Sequence, residues 1–129
     1  NSQMGVITIK QLLDIAEDAD FRKQIQSQME EYQKINSKAR DMLAENGCDE
    51  KGLGALEKVR TYLMIDFQTL MDKTTSHLAE MMLIGSTMGI VNATRNLRKY
   101  KDAKKDILQL MNDLLKFEEG NFKQLREFL

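Results

Sequence analysis

Few residues in this chain have types and spacings that suit chemistry. The single histidine, His77, stands three residues before Glu80, and on a helix that spacing aims both side chains into one volume. Adjacent acids recur at Glu30-Glu31 and Glu118-Glu119, the single thiol is Cys48, and Tyr32 and Tyr100 carry phenols. A nucleophile would have to be built from Cys48 or Ser76 with His77. Ser76 and His77 are neighbours in sequence and so point in different helix directions, and no triad is suggested. The glycines of GCDEKGLG, residues 47–54, follow no strand and make no phosphate or dinucleotide loop. No His or Cys cluster offers structural zinc. The plain assignments are solvent-facing charges for the paired acids and a helix-start histidine hydrogen-bonded to a neighbour for His77. For the tyrosines they are half-buried rings with wet hydroxyls. No catalytic residue is expected.

The elements that position these residues are helical. Proline is absent, Gly is 7 of 129 residues, and nine Met with five Phe, three Tyr and no Trp favour helix over sheet. The length fits one domain spanning residues 1–129, with Asn1-Ser2-Gln3 before Met4 set aside as a remnant of expression. The run SHLAEMMLIGSTMGIVNATRNLRKY, residues 76–100, has no charge between Glu80 and Arg95. Met81, Met82, Leu83, Ile84, Met88, Ile90 and Val91 leave no side of it clearly polar, so it is expected to be covered on most of its circumference. Apolar periodicity predicts two further long helices near 19–46 and 103–128, and shorter ones near 8–17 and 56–71. Thr8 is the expected cap of the first helix, Asp18 or Asp20 of the second, and Asp102 or Ala103 the opening of the last. The cap-forming residues 72–76 are expected to break the chain before the central helix. The expected fold is an all-α, four-helix-bundle-like domain.

A faint internal echo runs through this pattern. Leu13, Asp18-Ala19 and then Met29-Glu30-Glu31 on a long helix are followed by Leu97, Asp102-Ala103 and then Phe117-Glu118-Glu119 on another. With this arrangement and its central AEMMLIGSTMGIV, the chain resembles the ferritin-like superfamily of four-helix bundles, in an uncharacterised bacterial branch. The resemblance implies a carboxylate-bridged di-iron or di-manganese centre, built from a Glu on each of two helices and Glu-x-x-His on each of the other two. The matching places here read Glu30-x-x-Gln33 and Glu118-x-x-Asn121, without the histidines, and His77-x-x-Glu80 has the reverse order. An amide is a poor substitute for imidazole on iron, which argues against a redox-active centre. What the resemblance leaves is an alternative in which Glu30, Glu118, His77 and Glu80 hold a divalent metal in a degenerate site. No cofactor is otherwise expected.

A formal net charge of −1 provides no field to gather nucleic acid or an anionic membrane. The basic stretch from Arg95 to Lys105 is expected to be a solvated helix end, with anion binding as its weaker alternative. The uncharged tract 81–94 is too short to span a bilayer, and one Cys without a leader points to the cytoplasm. Gly85 and Gly89 form GxxxG, whose small residues let another helix approach. They are expected to pack inside the bundle first and, with Met88, to form a homodimer seam second. The sequence thus predicts a non-catalytic bundle that acts through self-association or partner binding.

Overall fold

A computed structural model describes residues 2–45 and 70–129. Among these there are four α-helices and no strand: α1 Ser2–Ile15, α2 Ala19–Glu45, α3 Thr75–Lys99 and α4 Lys105–Leu125, with a terminal 3-10 turn Arg126–Phe128. The all-α class is therefore observed. The glycine-rich loop 47–54, Cys48 and residues 56–69 of the helix expected near 56–71 lie outside the described residues, and Leu70 and Met71 are not helical. The chain divides into two compact units, Asn1–Thr74 and Thr75–Leu129.

In the first unit α1 packs on α2, joined by the turn 16–18. Asp18 is the cap: its Oδ1 accepts the Phe21 N–H at 2.7 Å, satisfying one of the donors a helix start leaves open. Arg22 of α2 reaches back and donates Nη1 to the Leu13 carbonyl and, at 2.9 Å, to that of Ala16. A cation thus sits on the negative C-terminal end of α1 and occupies its orphan carbonyls. Ile9, Leu12 and Ala16 of α1 and its turn are buried, as are Phe21, Ile25, Tyr32 and Ile35 of α2.

Helix α1 begins at Ser2, six residues before the expected start, and Thr8 lies inside it. Packing explains the extension. A Cβ at Gly5 would lie 2.6 Å from Tyr32 Cδ2 and Cε2, so the glycine lets the extra turn of α1 settle on the ring of α2.

In the second unit α3 and α4 are joined by residues 100–104, a connection of the length that makes helices antiparallel neighbours. The expected interruption is present: residues 70–74 are not helical, and Asp72 Oδ1 accepts the Thr74 N–H at 2.9 Å in an Asx turn that competes with helix. Asp102 and Ala103 do not open the last helix. They lie in the turn, and Lys104 occupies the N-cap position without a side-chain cap bond, in an extended backbone conformation at φ −56° and ψ 149°.

Candidate functional site

The inner face of α3 is made largely of small residues. Ala79, Ser86, Gly89 and Ala93 are all buried, together with the larger Leu78, Met82 and Leu83. Small side chains let a neighbouring helix come close. From α4 they meet Glu118, Asn121 and Leu125, of which Glu118 and Asn121 are 3% and 1% exposed. The contact that sets the register is Gly89 against Glu118, where a Cβ on the glycine would lie 2.9 Å from the carboxyl Cδ and Oε1. Stepping along antiparallel helices from that pair brings Ser86 level with Asn121 and Met82 level with Leu125. The middle of this interface is therefore polar and its end apolar.

This corrects the expectation of solvent-facing acids at Glu118. Glu118 occupies the place that the apolar stripe of α4 assigns to its core side, eleven residues after Ile107 and seven before Leu125. Gly89 opposite supplies the room. Glu119 and Glu30 are exposed, as expected.

Gly85 and Gly89 have separate fates. Gly89 packs inside the unit, as the favoured assignment had it, whereas Gly85 is exposed and a Cβ there would meet nothing within 4 Å. Beside Gly85 the described residues do not supply the expected cover on most of the central helix's circumference: Ile84 is 58%, Met88 61% and Val91 43% exposed. Their spacing of four and then three residues places them on one side of α3. Thr87, on the border of that stripe, turns its hydroxyl back to donate to the Leu83 carbonyl at 2.9 Å. Its polar group is thereby engaged within the helix. The stripe is bounded by exposed charges, Glu80 on the N-terminal side and Arg95 and Arg98 on the C-terminal side.

Within the second unit, the proposed ligands of α3 stand at a different level from Glu118. His77 Nδ1 lies 3.3 Å from Glu80 Oε2 at the start of α3, which is the neighbouring partner expected for this histidine. Glu80 and His77 precede Gly89, the level of the Glu118 carboxylate, by nine and twelve residues, or ~14 and ~18 Å of helix rise. Glu30 is exposed on α2. Among the described residues no three His, Cys, Asp or Glu side chains group as metal ligands would. The basic residues Arg95, Arg98, Lys99, Lys101, Lys104 and Lys105 are all exposed, and Lys99 Nζ lies 5.1 Å from the centroid of the Tyr100 ring.

Sequence inspection singled out Met88 but missed Ile84 and Val91 as surface residues, because a helix with apolar residues all round hides which of them face the partner. The usable signal was size. Ala79, Ser86, Gly89 and Ala93 recur at intervals of seven, three and four residues and mark the packed side, which Leu78, Met82 and Leu83 share.

These features define a strand-free helical protein, among its described residues, with an apolar face left open on α3. No described helix is long and apolar enough to cross a membrane. The chain matches no protein-family model, no curated protein and no solved structure.

Proposed function

We propose that this is a non-catalytic helical protein that works by helix-mediated association, with the outward face of α3 as the contact surface. The observation that carries this is the adjacent exposure of Ile84, Met88 and Val91, at 58%, 61% and 43%, on a helix whose other side is already packed against α4. Single exposed apolar residues are ordinary on protein surfaces, but three on successive turns of one helix form a continuous strip. Burying the exposed half of each such side chain is worth about 1 kcal/mol. Methionine suits such a surface because its unbranched, polarisable side chain adapts to the partner.

Light scattering over a concentration series is expected to give a mass above that of one chain. Met88→Asp and Ile84→Asp, each at an exposed position, are expected to return it to one chain with an unchanged helical circular-dichroism spectrum. A single-chain mass for the unmodified protein at every concentration overturns self-association.

A further inference from the structure

The charges bounding the α3 stripe say how two copies would meet. Glu80 lies four residues before Ile84 and Arg95 four residues after Val91, so both charges share the stripe's side of the helix. They are also equally far from its midpoint, which falls between Thr87 and Met88. The same midpoint relates His77 to Arg98. The face is therefore acidic at one end, apolar in the middle and basic at the other, with its parts evenly spaced about one level.

Resting on the association proposed above, we infer that the outward face of α3 pairs with the same face of a second copy, the two helices antiparallel about a two-fold axis at the level of Thr87 and Met88. A two-fold contact brings one patch onto itself, so the patch must be self-complementary under reversal. This one is. Reversal sets Ile84 beside Val91 of the other copy, Met88 level with the other copy's Thr87 and Glu80 beside the other copy's Arg95. Both Glu80 and Arg95 are exposed, so each can reach across. A parallel pair would instead set Glu80 against Glu80 and Arg95 against Arg95, with like charges at both ends. Apolar burial supplies the attraction in either case, and the charges select the orientation. The seam from His77 to Arg98 is ~32 Å long, nearly the whole of α3.

Charge reversal and cross-linking test this in the full chain, with Cys48→Ser as background for the cysteine variants. Glu80→Arg and Arg95→Glu are each expected to weaken the dimer about tenfold, because each repeats at two symmetry-related places, and the double variant to restore it. Chains carrying Glu80→Cys, mixed with chains carrying Arg95→Cys, are expected to join through a short bis-maleimide, whereas neither joins to itself. If Glu80→Cys chains link to one another and the double reversal gives no rescue, the antiparallel seam falls while association through α3 stands. If the dimer survives Met88→Asp, or no dimer forms, the choice of this face falls as well.

Discussion

The α1·α2 and α3·α4 hairpins distribute their side chains differently. In the first, Ile9, Leu12, Phe21, Ile25 and Tyr32 are buried, and a glycine lies under an aromatic ring. In the second, a glycine lies under a carboxylate, Ser86, Glu118 and Asn121 are buried, and Ile84, Met88 and Val91 remain outside. The α1·α2 pair buries one comparable polar side chain, Gln28, which is 2% exposed. Its Oε1 and Nε2 have no hydrogen-bond partner among the described residues. The lesson is that helical amphipathicity states how much apolar surface a helix has, whereas the neighbour decides which part is used. The side of α3 with the small residues is packed, and Ile84, Met88 and Val91 on the opposite side stay exposed.

The contrast is sharpest for large truncations. Phe21→Ala, at a fully buried site, is expected to cost about 3–5 kcal/mol in denaturant unfolding, while Val91→Ala on the open face leaves single-chain stability within about 0.5 kcal/mol and weakens association. An equal loss for both would show that the α3 stripe is core in the single chain and would break the comparison.

Next in size is the same substitution at two glycines. Gly5→Ala drives a methyl into the Tyr32 ring and is expected to destabilise the protein by about 1–3 kcal/mol, more than the helix propensity it gains. Gly120→Ala meets nothing within 4 Å and is expected to raise stability by about 0.5–1 kcal/mol. Thermal melts of both variants read the sign directly; a stabilised Gly5→Ala would remove the close α1·α2 contact.

The capping effect is of similar or smaller size. Asp18→Ala removes the acceptor of the Phe21 N–H and is expected to cost about 1 kcal/mol, with Asp18→Asn recovering most of it. If Ala and Asn behave alike, the turn 16–18 is held by Arg22 rather than by the cap.

Much of the local structure was legible without coordinates. The boundaries of α2 and α3 follow from Asp18, from the cap-forming residues 72–74 and from apolar periodicity, because capping and turn chemistry act over a few residues. The pairing of His77 with Glu80 follows from their spacing of three on one helix. The early start of α1 does not, since it depends on Tyr32, far along the chain, accepting Gly5 beneath its ring.

The candidate surface divides in the same way. The sequence by itself determined that α3 is helical and apolar, with no charge between Glu80 and Arg95. Only the tertiary structure decided that Gly89 faces Glu118 while Gly85 faces open space, that Glu118 is inside, and that Ile84, Met88 and Val91 are outside. The physical reason is that periodicity assigns residues to sides of a helix, but a side becomes core only when a second helix of matching shape occupies it. For α3 that match was size, small residues against the longer side chains of α4.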